Sequence, residues 1–133
     1  MTKLFSSLES TKCFTNLNAY KTVYPSVVSC LETLYTCNSD NKDLLNILSE
    51  AKCNCIDILN NLAIGYNRYN IKDKLYFYNL SRNCLSKVQS LLILLNSFNI
   101  LNFEKTDLFV KKFQEDLKLF NGAIRKIENL EKK

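Results

Sequence analysis

Histidine and tryptophan are absent from this 133-residue chain, glycine occurs only twice and proline once. Each scarcity excludes something. Without histidine there is no Ser/His or Cys/His nucleophile pair of the common kind, and no Glu-x-x-His motif of a diiron bundle. With only Gly65 and Gly122, no glycine-rich phosphate loop can form. Chains rich in β-turns or Rossmann crossovers need more turn residues than this, so long helices with few connections are expected. The six cysteines, Cys13, Cys30, Cys37, Cys53, Cys55 and Cys84, contain no C-x-x-C pair. They read as small buried hydrophobes rather than metal ligands, and neither a metal nor a cofactor is expected.

Long apolar runs are missing too. The longest aliphatic run is Leu91 to Leu95, far short of a membrane span, and Met1 to Phe5 lacks the apolar core of a secretory signal. A cytoplasmic protein without a membrane partner is the expectation. Carboxylates are scattered, with Glu50 and Asp57 seven apart on one helix face as the nearest approach to a pair. The chain is therefore expected not to be an enzyme.

What is present is helical periodicity. Apolar residues are 47% of the chain and charged residues 23%, the balance of a globular protein. Four segments carry steps of three and four residues: Tyr20, Tyr24, Val27, Leu31, Leu34; Leu44, Leu48, Ala51, Cys55, Ile58, Leu62; Phe77, Leu80, Cys84, Val88, Leu91, Leu95, Phe98; and Val110, Phe113, Leu117, Phe120, Ile124, Ile127. Pro25 should begin a helix or kink one. Asn38 to Asn41 reads as a capping turn, Gly65 to Asn70 as a helix stop and loop, and Thr106 or a neighbour as the start of the last helix. The expected fold is all-α, an up-down antiparallel four-helix bundle in a single domain over residues 1–133, with 1–14 as an N-terminal extension and a core about 18–130. The third helix also carries Leu85, Leu92, Ile93 and Leu94, a face wide enough for a subunit interface.

The net charge of +5 is concentrated past the midpoint. Residues 66–103 hold Arg68, Lys72, Lys74, Arg82 and Lys87 against Asp73 alone. Tyr66, Tyr69, Tyr76 and Tyr78 interleave with the first of these cations, so bases could stack while phosphates are tracked. On the last helix Lys111, Lys118, Arg125 and Lys132 recur every seven residues along one face. Glu115, Asp116, Glu128 and Glu131 are available to neutralise them, which would leave the cations as ordinary solvated charge.

Several segments in order resemble a known family. These are Tyr20 to Pro25 (Y-K-T-V-Y-P), Ser49-Glu50-Ala51 followed by Cys55 to Ala63, Asp73-Lys74-Leu75, the aliphatic spacing of Leu85 to Leu95, and Leu117 to Ile127 (L-K-L-F-N-G-A-I-R-K-I). Over roughly residues 18–130 the chain resembles the Avd-like family, the accessory variability determinants of diversity-generating retroelements. It is also similar to four-helix proteins encoded in intervening sequences of 23S ribosomal RNA. The resemblance implies a homopentamer of four-helix bundles that binds a reverse transcriptase and nucleic acid, template-derived RNA or DNA, supporting mutagenic reverse transcription without catalysing it. Where the family often carries adjacent arginines after D-K-L, this chain has Asn79-Leu80, so basic function there is either lost or shifted to Arg82 and Lys87. The candidate nucleic-acid contacts are Arg68, Lys72, Lys74, Arg82 and Lys87, with Lys111, Lys118 and Arg125 as a second tier. The other reading is a structural, protein-interaction bundle of the intervening-sequence type that binds no nucleic acid.

Overall fold

Asparagine punctuates the chain. Asn41, Asn70 and Asn102 each precede a long helix, and each side-chain oxygen accepts a backbone N–H of the first turn: from Asp43 and Leu44, from Lys72, and from Lys105. Those donors have no partner inside a helix, and each cap is worth about 1 kcal/mol. The computed structural model describes residues 2–132. Its helices are α1 (Thr2–Leu8), α2 (Asn18–Tyr35), α3 (Lys42–Tyr66), α4 (Ile71–Ser97) and α5 (Phe103–Glu131), with two short 3-10 turns between α1 and α2. No strand occurs among the described residues. Among the described residues no helix is long and apolar enough to cross a membrane.

Several boundaries differ from the sequence reading. The last long helix opens at Asn102, four residues before Thr106, which sits buried inside its first turn. α2 neither begins nor ends at Pro25 but runs from Asn18 straight through it. Having no N–H, Pro25 leaves one helical acceptor without its donor. α3 does end beside Gly65, at Tyr66, but not through a left-handed conformation of Gly65. It lies within the helix, and a Cβ there would fall 2.7 Å from Cε1 of Tyr78. Close approach of two helices, rather than turn geometry, is what requires glycine. The left-handed residue that ends α4 is Asn99, with φ of 61°. The Asn99 N–H donates to Asn96 O and the Ile100 N–H to Leu95 O, satisfying the last carbonyls in the Schellman manner.

The helices pack against one another: α3 most extensively on α4, α4 on α5, α2 on α3, and α2 most sparsely on α5. Val23, Val27, Cys30 and Leu34 of α2 meet Leu48, Ala51, Cys55, Ile58 and Leu62 of α3, Leu85, Val88, Leu92 and Leu95 of α4, and Phe113, Phe120 and Ile124 of α5 in one core. Fully burying each of the larger side chains contributes about 2–3 kcal/mol. The N-terminal extension is tied down as well. Phe5 packs edge-on against Tyr20 and Tyr24, and the Tyr66 hydroxyl donates to Lys12 O at 3.3 Å.

Candidate nucleic-acid interface

The side chains that matter most project where α4 meets α5. On α4, Arg82 is held as a fork: one guanidinium nitrogen donates to Asn79 Oδ1 at 2.6 Å, the other to Asn121 Oδ1 of α5 at 3.1 Å. Asn79 is itself oriented, donating to Leu75 O at 2.9 Å. Asn121 lies three residues after Lys118 and four before Arg125, the spacing that puts all three on one helical face. Arg82 thus joins the seven-residue row of Lys111, Lys118 and Arg125, although it is remote from them in sequence. Further along the same seam, the Gln89 amide donates to Val110 O and to Gln114 Oε1. The result is a cationic face lined with amides.

Its charge is largely uncompensated. Among the described residues the ion pairs are Lys111–Asp107 at 3.1 Å and Lys112–Glu115 at 3.6 Å, both on the α5 surface. Such exposed pairs contribute a few tenths of a kcal/mol. Lys118, Arg82 and Arg125 have no carboxylate within ion-pair distance. Asp116 does not neutralise the row, because it points inward and is 1% exposed.

The remaining candidates are not gathered with these. Arg68, in the α3–α4 connection, stacks over the Phe77 ring at 4.8 Å. Lys72 stands exposed in the first turn of α4. The Lys74 ammonium turns back to the end of α3, donating to Gly65 O at 3.0 Å and Tyr66 O at 2.8 Å. Burial there lowers its pKa below the ordinary lysine value. Lys87 is exposed and lies near the Cys84 thiol, whose pKa burial raises, with Asp57 raising it further and Lys87 lowering it. The tyrosines divide in the same way. Tyr69 and Tyr76 are open to solvent, while Tyr66 bonds the N-terminal segment. Tyr78 is packed against Gly65, with burial pushing its pKa up to about 12. Tyr78 is therefore not available to stack on a base.

Sequence reasoning missed the amides. Asn79, Asn121, Gln89 and Gln114 carry no periodic signal of their own, and only the pairing of α4 with α5 reveals that they orient Arg82 and bridge the seam. Of the six free cysteines, Cys30, Cys55 and Cys84 are buried and Cys53 is exposed. The Cys30 and Cys55 sulfurs lie 3.9 Å apart across the α2–α3 contact, and the Cys55 hydrogen bond and burial push the Cys30 pKa well up. No cluster of three or more metal-ligating side chains occurs among the described residues.

Comparison with known protein families, curated proteins and solved structures finds no match. What the fold and this face define is a class: an all-helical protein with oriented cations and amides on one face.

Proposed function

We propose that this chain is a non-enzymatic accessory protein of a diversity-generating retroelement. In this reading it is an up-down antiparallel four-helix bundle that assembles as a homopentameric ring in the cytoplasm. It binds a reverse transcriptase and template-derived RNA and supports mutagenic reverse transcription. The observation that carries the reading is Arg82 fixed by Asn79 and Asn121 between Lys118 and Arg125, with no carboxylate of the described residues within ion-pair distance of any of the three. The resemblance over residues 18–130 supplies the biological setting.

The bundle topology is supported by the contacts. Across α3 and α4, Ile58 meets Ser81 and Gly65 meets Tyr78. Across α4 and α5, Arg82 meets Asn121 and Gln89 meets Gln114. Across α2 and α5, Ala19 and Ala123 line one cavity while Ser29 and Lys112 line another. In each case the number rises on one helix as it falls on the other. The connections between the long helices are only four to six residues, short enough to impose that arrangement.

Function follows from electrostatics rather than bond chemistry. The row on α5 tracks phosphates, Arg82 adds a fixed positive charge whose remaining N–H groups can meet a phosphate, and the amides offer donors and acceptors to sugars and base edges. A ring of copies turns one modest patch into a continuous one. The test is binding of a fluorescent single-stranded RNA across a salt series, comparing the protein with Arg82→Glu/Arg125→Glu. Affinity should fall at least about tenfold, and the slope of log K against log salt should lose about 1.4, roughly 0.7 per phosphate contact. Equal affinity with a flat slope would remove the nucleic-acid role and leave the protein-interaction bundle.

A further inference from the structure

The two glycines of this chain are explained very differently. Gly65 is required by the Tyr78 ring, whereas a Cβ on Gly122 would meet nothing within 4 Å. Gly122 nevertheless sits inside α5, where glycine is unfavourable, and its φ is not in the left-handed region. Nothing within the chain calls for it. A close approach from outside would.

Gly122 opens onto a groove. Where α2 packs sparsely on α5, an open cavity of about 570 Å3 is lined by Ala19, Thr22, Leu119, Gly122, Ala123 and Lys126 among others, with no acid. Leu108, Leu119 and Leu130 follow at eleven-residue spacing on the same side of α5, each more than half exposed. Lys118 and Lys126 line the groove itself, and Lys112, exposed and paired with Glu115 at 3.6 Å, lies further along the same side of α5, fourteen residues before Lys126. The groove is apolar at its floor and cationic at its rim.

The chain also carries the complementary surface. Asp43, Glu50 and Asp57 follow at seven-residue intervals along α3, and all three are exposed. The one base inside α3 beyond its first residue, Lys52, lies over the Tyr35 ring at 5.0 Å. Around this acidic row the outward residues are short or apolar: Ser49, Cys53, Ile56 and Asn60. Because α3 and α5 each pack on α2 and α4, they lie across the bundle from one another.

We infer that copies of this chain associate head to tail, the acidic face of α3 in one copy seating in the α2–α5 groove of the next. Asp43 and Asp57 match the fourteen-residue span of Lys112 and Lys126, and the α3 backbone approaches over Gly122. Two different surfaces on opposite sides of one molecule make a heterologous contact, the kind that closes into rings or extends into filaments. The inference deepens the assembly part of the proposed function and rests on that part alone. Lys118 borders both this groove and the basic row of α5, so variants on α3 separate the two readings.

Sedimentation velocity on the full chain tests it, over a concentration series. The unaltered protein should be oligomeric. Gly122→Leu, Asp43→Lys/Asp57→Lys and Lys112→Glu/Lys126→Glu should each raise the apparent subunit dissociation constant by at least about tenfold. The fourfold combination of both charge reversals should restore assembly, which a merely misfolded variant could not do. Circular dichroism confirms that each variant is helical. A monomeric unaltered protein overturns both this inference and the assembly reading. An oligomer indifferent to all three variants overturns this interface and leaves assembly standing. RNA binding by Asp43→Lys/Asp57→Lys, measured in parallel, should not weaken, so the nucleic-acid reading is judged separately.

Discussion

The α3–α4 and α2–α5 contacts are built on opposite principles. Between α3 and α4 every demanding group is answered. Gly65 admits the Tyr78 ring, the buried Ser81 hydroxyl donates to Ile58 O at 2.6 Å, and the Lys74 ammonium closes the end of α3. Between α2 and α5 demands are left open. Gly122 faces empty space, Pro25 interrupts the ladder of α2, and neither Ser26 Oγ nor either Asp116 carboxylate oxygen has a hydrogen-bond partner although all three are buried. A seam with satisfied polar groups and filled volume specifies a fold. One with unsatisfied groups and spare room has kept stability in reserve, the pattern expected where a surface serves binding.

The sharpest way to break the closed side is to fill Gly65. In Gly65→Val the new carbons collide with the ring of Tyr78, which is itself buried and has nowhere to go. Overpacking of this kind should cost about 3 kcal/mol, read as a lower denaturant midpoint with an unchanged slope. A loss below about 0.5 kcal/mol would mean that the two helices can separate cheaply, and the contrast would fail.

On the open side the effect should be smaller and opposite in sign. Burial raises the pKa of Asp116 above its ordinary value of 3.8, and the Ser26 hydroxyl facing it from α2 lowers it only in part. The folded protein therefore prefers the neutral carboxyl. That contribution is fully present below the ordinary carboxyl pKa and is lost as pH rises through the raised folded value. Asp116→Asn keeps the shape and removes the titration. It should gain about 1 kcal/mol at pH 7–8, the scale of a buried unsatisfied polar group. The gain should shrink as the pH is lowered towards 4. A variant less stable than the parent at pH 8, or a difference independent of pH, would show that the carboxylate is satisfied by something at this seam.

The same asymmetry decides what could be read from the sequence. The stripe Leu48, Ala51, Cys55, Ile58 and Leu62 is the core of α3, as its spacing leads one to expect, while Leu44 at its start is only half-buried. On α4 the expected Leu80, Leu91 and Phe98 are partly or largely exposed, while Leu75, Tyr78, Ser81, Leu85 and Leu92 face inward. Apolar residues spread beyond one stripe of α4 leave periodicity more than one face to choose. Here the choice is made by a hydroxyl bonding Ile58 O and a ring fitting over Gly65, neither of which is a hydrophobic signal. On α2 the expected Val27 and Leu34 are buried, but Ala19, Val23, Ser26 and Cys30 complete the row in place of Tyr20 and Tyr24, since small residues register weakly yet allow close packing. The cationic row on α5 was visible as a seven-residue repeat. The addition of Arg82 to it and the capture of Lys74 by backbone carbonyls were not, because both depend on which helices become neighbours.

The smallest expected effect is also the most discriminating. Gly122→Ala adds a methyl group into open space at a helix-interior position, so it removes the excess backbone freedom of glycine from the unfolded chain at no steric cost. Stability should rise by about 0.8–1 kcal/mol, the reverse of what filling Gly65 does. Thermal melts of dilute protein, where copies are separate, would measure this gain by itself. If the gain is absent, α5 frays or bends at this point, and the spare room beside α2 reflects local looseness rather than a surface kept clear. If the gain appears, the chain carries a destabilising glycine that its own fold does not need, and the reason for it must lie in what approaches α5 from outside.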